Sequence, residues 1–583
     1  MSSLVDTVPL EPVDTPPVKI KPLGRGPLKG FPGGVALLIV LGVLIIAPVG
    51  YLIYGSFRSA APGLRSDWTL ANFGFLASPE FLGYLRDTVL LAIGGAVIGF
   101  LVALGLAVAI LRVRIPGARF FNSLVVLPAY VPPVLIAFAW IMMLSPQVGF
   151  VNAWFAYLGL PTYDIYSLPG IIWVMGLAHV PMAYLYIRPA LLAVDTSLEE
   201  AAWTVGASKF QTMRKIVLKV AAPGLLSAAL IVFVNCLGEF TIPATLGPTS
   251  HIATISSQLL VFVSEFPGNP NKAAVMGLFL MTLSVLGLLL NRRMLKGRVY
   301  ATVGGRGSSQ QGARSSRPIR VIATVGCGLY LLLAVVIPAF ALIAGSLKAY
   351  PSPDFSAPWT LANYQDLITF PGAVGAVVNS LVLSIGAAII AMLLSVAIAR
   401  TYLRNPRFGK ILDQVGSLTI AIPHIVFGLA LLWMWIVLRV GVYGSSWILL
   451  LAYVALFLPL GIRATVDAVA QLDTGMEEAA RVAGASESKV TRSIVLPNII
   501  PSLLSGGTVV IYHVMRELSA SLILFTSGSM VLSVVFWQLF QGGRVSPAMA
   551  VGIINMVMIF VVVALANLGL RFVVGRQTKT RTK

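Results

Sequence analysis

The chain has 583 residues, 57% hydrophobic and 11% charged, with a formal net charge of +20 and a mean hydropathy of +0.90. A soluble chain carries about 25% charged residues, and runs of about 20 apolar residues match a bilayer core roughly 30 Å thick, so an ordinary soluble domain is excluded and an integral membrane protein expected. Two cysteines, Cys236 and Cys327, are too few for a disulfide framework, and four scattered histidines give no metal-site spacing, so no cofactor or metal is expected in the chain.

Residues 1–33 are rich in Pro, Gly and Lys and read as a disordered cytoplasmic tail. No small-residue cleavage site follows the long first apolar run, so it does not read as a signal peptide. Spanning helices are predicted near 34–55, 86–111, 121–145, 168–193, 220–245 and 272–291. They form a first six-helix domain over 34–298. A Gly/Ser/Gln/Arg stretch at 299–318 reads as a cytoplasmic linker. A second six-helix domain over 319–574 has helices near 321–346, 377–400, 414–438, 446–468, 498–525 and 549–574, and a basic cytoplasmic tail follows at 575–583. The halves repeat: Trp68-Thr69-Leu70-Ala71-Asn72 recurs as Trp359-Thr360-Leu361-Ala362-Asn363, and Pro128 and Pro423 occupy matching helices. The expected fold is all-α, with twelve transmembrane helices in a parallel repeat.

The basic residues collect in alternate loops. Lys19, Lys21, Arg25 and Lys29 precede the first helix; Arg112, Arg114 and Arg119 follow the second; Arg292, Arg293, Lys296 and Arg298 lie just before the linker, and Arg306 and Arg314 within it. This is the positive-inside pattern, so the charge reports topology in a lipid bilayer, with both termini cytoplasmic, and not a nucleic-acid partner.

One loop motif occurs twice at a constant offset. Glu200-Ala201-Ala202, three residues, then Gly206-Ala207 is matched by Glu478-Ala479-Ala480, three residues, then Gly484-Ala485. Asp195/Asp473, Ser208/Ser486, Arg214/Arg492, Ile216/Ile494, Leu218/Leu496 and Pro223/Pro501 continue the agreement. Each copy reads as two short helices joined by a Gly turn, with Thr196 and Thr474 as N-caps and Glu199 and Glu477 at capping-box spacing. The chain contains no Gly-x-x-x-x-Gly-Lys-Ser/Thr phosphate loop. Leu504-Ser505-Gly506-Gly507 lies in an apolar helix and reads as small residues for helix packing.

The spanning helix after each loop carries ionisable or polar residues, Asn235 and Glu239 in the first half and His513 and Glu517 in the second. At i and i+4 each pair is expected on one helix face. From Pro223 to Glu239 is about 24 Å of helix, which puts the Glu toward the outer end of the core. These four residues are candidates for lining a translocation path, with capping of a helix end as the plain alternative. His179, His251 and His424 read as structural histidines.

The doubled Glu-Ala-Ala…Gly motif resembles the EAA loop of the permeases of binding-protein-dependent ABC importers. Met515-Arg516-Glu517-Leu518-Ser519-Ala520-Ser521 with Val531-Leu532-Ser533-Val534, and Leu237-Gly238-Glu239-Phe240 with Ile242-Pro243, resemble the ferric-iron-type branch, in which two six-helix units are often fused. The first copy departs from the family at Lys219, where Pro is usual, as in Pro497. The resemblance implies a non-catalytic transport subunit in the bacterial cytoplasmic (inner) membrane. Two copies of an ABC ATPase subunit, binding ATP and Mg, would dock on the two loops. A periplasmic or lipid-anchored solute-binding protein would deliver the cargo. Ferric iron is the expected solute; thiamine, a polyamine, a phosphonate or a sugar phosphate are carried by relatives of the same layout. An ATP-independent secondary transporter also has repeated halves and remains the alternative architecture.

Overall fold

The computed structural model describes residues 32–266, 268–295, 316–353, 356–472 and 474–581. Asp473, nearly all of the 1–33 tail and most of the 299–318 linker lie outside these residues.

An apolar run bounded by lipid on one side satisfies its backbone as a helix, and such helices approach one another through small residues. The helix Ala373–Arg404 obeys this rule. Val374, Val378, Val382, Ile389 and Leu393 are exposed along one stripe, and Ala376, Ser380, Ala387 and Ala391 are buried along another. Gly506 and Gly507 serve the same end: Gly506 lies against Ala464, and both glycines face Met392.

Among the described residues, ten helices are long and apolar enough to cross a membrane. Two further spans are bent pairs, Ala118–Tyr130 with Pro133–Leu144 (99°) and Pro406–Ala421 with His424–Leu438 (109°). The single straight helices expected at 121–145 and 414–438 are therefore each broken. The break falls at Val131-Pro132 and at Ile422-Pro423, where extended backbone precedes the next helix. Proline lacks an N–H and ends the preceding helical run. The structural counterpart of Pro423 is thus Pro132, not Pro128. The helices expected over 220–245 and 498–525 also stop early, at Gly238 and Met515. Short helices Thr241–Leu246 and Ser519–Leu524 come next, and then Ile255–Ser264 and Leu532–Gln541. The last helix runs from Val545 to Arg581.

The halves interlock. The first span, Gly33–Ser56, packs on His424–Leu438 of the second half; Arg317–Ser346 packs on Pro133–Leu144 of the first. Phe138 sits edge-on to Phe536 and Phe540 across the seam, at 4.9 and 4.8 Å between ring centres.

The repeated Trp-Thr-Leu-Ala-Asn is a clasp at the end of each half's first span. Asn72 Nδ2 donates to the carbonyls of Ser56 (3.0 Å) and Arg58 (2.8 Å). Asn363 Nδ2 donates likewise to Ser346 (2.9 Å) and Lys348 (2.7 Å). Trp68 and Trp359 lie under Arg58 and Lys348, at 5.1 and 4.2 Å from the ring centres. Asn363 is buried, so Asn363→Ala leaves two carbonyls without a donor. We expect a loss of about 1–3 kcal/mol, read as a lowered melting temperature of the purified chain. An unchanged melting temperature would remove the clasp from the account.

Candidate functional site

Two places concentrate the repeated polar residues: a pair of matching loops, one in each half, and the breaks where the halves meet.

In the first loop, helix Thr196–Thr204 is capped by Asp195, whose side chain accepts the Ser197 N–H at 2.9 Å. The expected Thr196 cap with Glu199 closing a box does not form. Asp195 has the better short acceptor one residue earlier, and Glu199 is turned inward. The helix ends as a Schellman motif. Gly206 takes φ +86°, its N–H donates to the Trp203 carbonyl (3.0 Å), and the Ala207 N–H reaches back to Ala202 (2.9 Å). Ser208 then caps the next turn, in a box with Gln211. The second copy repeats this geometry. Helix Thr474–Val482 leads to Gly484 at φ +80°, and the Ala485 N–H donates to Ala480 (3.0 Å). Its cap is not described, because Asp473 and the side chains of Thr474 and Glu477 lie outside the described residues. Both loops enter the next span through a π-helical turn, Met213–Val217 and Thr491–Val495. Lys219 in place of Pro leaves that entry unchanged.

Glu200, Ala201 and Gly206 are exposed in the first loop, and Glu478, Ala479 and Gly484 in the second. Ala207, Ala480 and Ala485 are half-buried and Ala202 is buried. Val205, Phe210 and Val482 stand out from this face. Small residues with isolated apolar side chains form a surface that a partner can cover closely.

Glu199 is buried and pairs with Arg112 Nη1 at 2.5 Å. Arg112 Nη2 also donates to the carbonyls of Leu191 (2.5 Å) and Val194 (3.3 Å). One guanidinium therefore joins the end of the second span, the end of the fourth and the loop helix. Burial pushes the Glu199 carboxyl up from its ordinary range, and Arg112 pulls it back. The sequence holds both residues but no spacing that pairs them across the fold.

At the seam, the expected shared faces do not form, because each helix ends before its Glu. Asn235 is exposed and donates to the Ile231 carbonyl (2.9 Å), and His513 Nδ1 lies 2.9 Å from the Val509 carbonyl. Each glutamate instead caps the short helix after it. Glu239 Oε1 accepts the Thr241 N–H (2.9 Å), and Glu517 Oε1 accepts the Ala520 N–H (2.9 Å). Their backbone carbonyls accept Ser256 Oγ (2.8 Å) and Ser533 Oγ (2.7 Å) from the next short helices. Thr88 and Ser380 hold those helices by accepting the N–H groups of Ile255 and Leu532, both at 2.9 Å.

The breaks face each other across the seam. Gly238 packs on Pro423, Arg516 donates to the Ala129 carbonyl, and the tilted rings of Tyr130 and Tyr512 meet with centres 4.9 Å apart. Here the second half differs from the first. Pro423 is followed by His424, whose Nδ1 lies 2.6 Å from Glu517 Oε2, whereas Pro132 is followed by Pro133. His179 and His251 make local contacts, to the Met175 carbonyl and in a left-handed turn. His424, read with those two as a structural histidine, is the one that meets a carboxylate distant in the sequence. The Pro-His step where the first half has Pro-Pro was the available signal. Among the described residues no three His, Cys, Asp or Glu side chains form a metal-ligand group.

The model of the binding-protein-dependent transport system inner membrane component family matches residues 95–298 and 391–576, once in each half. The chain is 26% identical over 471 residues to the ferric transport system permease protein FbpB of Actinobacillus pleuropneumoniae, covering 79% of this chain and 67% of that one. It is 23% identical over 513 residues to the Fe(3+)-transport system permease protein FbpB 2 of Haemophilus influenzae (86% and 91%). The molybdenum transport system permease protein ModB of Escherichia coli K12 is 27% identical over 224 residues, 37% of this chain but 93% of its own length. Nearly the whole of that permease thus matches a stretch shorter than half of this chain. Two matched domains joined in one polypeptide, with ten to twelve candidate spans, make this chain a fused member of the binding-protein-dependent transport system inner membrane component family.

Proposed function

We propose that this chain forms the whole transmembrane pathway of an ATP-driven importer for ferric iron in a bacterial inner membrane. The observation that carries the reading is the pair of loops, alike in their Gly turns and π-helical exits, one per permease domain. Each loop docks one copy of a separate ATPase subunit, which binds ATP and Mg, through Glu200, Ala201, Ala202, Gly206 and Ala207 or Glu478, Ala479, Ala480, Gly484 and Ala485. The family's dependence on a binding protein supports a periplasmic or lipid-anchored partner at the opposite face. The positive-inside pattern supports loops and termini on the cytoplasmic side. The domain limits 34–298 and 319–574 with a linker at 299–318 belong to this reading. Iron as cargo rests on the two relatives named for ferric transport, which align across both halves. A secondary transporter would not carry this family's two domains.

The test is reconstitution with the ATPase and the binding protein encoded beside this chain. ATP hydrolysis and uptake are measured with Fe(III), thiamine, putrescine, a phosphonate and a sugar phosphate in turn. Stimulation by Fe(III)-loaded binding protein is expected. Stimulation by another solute alone overturns the iron reading, and failure to bind any ATPase overturns the docking role of the loops.

A further inference from the structure

We propose that His424, oriented by Glu517, is a contact point for the metal cargo on its way between the two halves; this rests on the iron reading above. The His424 side chain is 40% exposed while that of Glu517 is 6% exposed, so the carboxylate is buried and the imidazole is the accessible member of the pair. Both Glu517 oxygens are engaged, Oε1 by the Ala520 N–H and Oε2 by His424 Nδ1. An ionised carboxylate only accepts, so Nδ1 carries the proton and, in the neutral ring, Nε2 keeps the lone pair that can bind a cation. A carboxylate behind a histidine is the arrangement that fixes ring orientation and raises ligand basicity at metal sites. A cation arriving at Nε2 displaces whatever proton that nitrogen holds.

The surroundings suit brief contact with a cation. Phe457 stands edge-on to the His424 ring at 5.5 Å and holds its plane. Glu239, from the opposite half, is close enough to act electrostatically on His424. Arg516 donates to the Ala129 carbonyl and acts on His424 with the opposite sign, which favours release over tight binding. No third ligand is gathered among the described residues, and a conducting path needs sites that release what they bind. Glu517 is the positioning residue and His424 the one that touches cargo.

The assembled transporter in proteoliposomes, with radioactive Fe(III) on the binding protein, provides the test. His424→Gln keeps a donor toward Glu517 and removes the ring nitrogen. The iron moved per ATP hydrolysed is expected to fall about tenfold, as does that of Glu517→Gln. His424→Cys is expected to react with a water-soluble thiol reagent; Cys236 and Cys327 are buried and leave little background. Copurification with the ATPase checks that each variant has folded. Wild-type coupling in His424→Gln, or an unreactive His424→Cys, overturns the inference while leaving the iron reading intact. A wild-type transporter that moves another solute but no iron overturns both.

Discussion

Proline at both Gly206 and Gly484 will reduce transport to background while the chain still inserts in the membrane. Both glycines sit at positive φ, +86° and +80°. Proline is fixed near −65° and has no N–H. At Gly206 it also removes the donor to the Trp203 carbonyl, so the Schellman turn cannot close. The chain between the two loop helices must then take another direction, and the exposed small-residue face no longer has its shape. Open space surrounds the position of a Cβ at either glycine. Gly206→Ala and Gly484→Ala therefore meet only the left-handed backbone cost, about 1–2 kcal/mol each, and should keep most of the transport. This contrast separates backbone geometry from bulk. The measurement is cargo uptake with ATPase copurification, for each single variant and the double one. Transport by either single Pro variant at the wild-type level would refute the assignment of that loop.

The repeat, the number of spans and the Gly turns of the loops were legible in the sequence because each depends on local chemistry. Gly206 and Gly484 stand where a chain must reverse, and residues such as Val374 and Leu393 report lipid contact through hydropathy alone. The breaks were not legible for the same reason. A hydropathy window sums apolar length and does not register that Pro132 or Pro423 has turned the backbone by about 100° inside an unbroken apolar run. The ends at Gly238 and Met515 also fall inside apolar runs, so Glu239 and Glu517 read as helix-face residues, whereas they lie past the helix ends and cap the next turn. Asp195 and Thr196 are adjacent acceptable caps; Asp195 caps the helix, and Glu199, which would close a box with Thr196, is turned inward to Arg112. Pairings such as His424 with Glu517 join residues 93 apart in the chain and depend on how the breaks face each other.

Arg112→Ala should be the most destabilising single change on the loop face. Glu199 would remain buried without its hydrogen-bonded cation, and the carbonyls of Leu191 and Val194 would lose their shared donor. Breaking a buried pair from one side costs about 3–5 kcal/mol. Arg112→Lys should recover only part, because an ammonium cannot span the carboxylate and two carbonyls as the planar guanidinium does. Replacing the pair together, Arg112→Met with Glu199→Leu, removes the stranded charge and should restore much of the loss. The measurement is resistance of the loop to trypsin cleavage at Lys209, Arg214 and Lys215, alongside the melting temperature. If the single and double variants are cleaved equally fast, the pair is not what holds the loop. Because Arg112 binds the ends of two spans and the loop helix at once, the apolar double variant can be well folded and still transport poorly. A loop pressed by its partner moves the spans only through groups that connect them. Stability without transport in the double variant would assign Arg112 to that connection; recovery of both would assign it to stability alone.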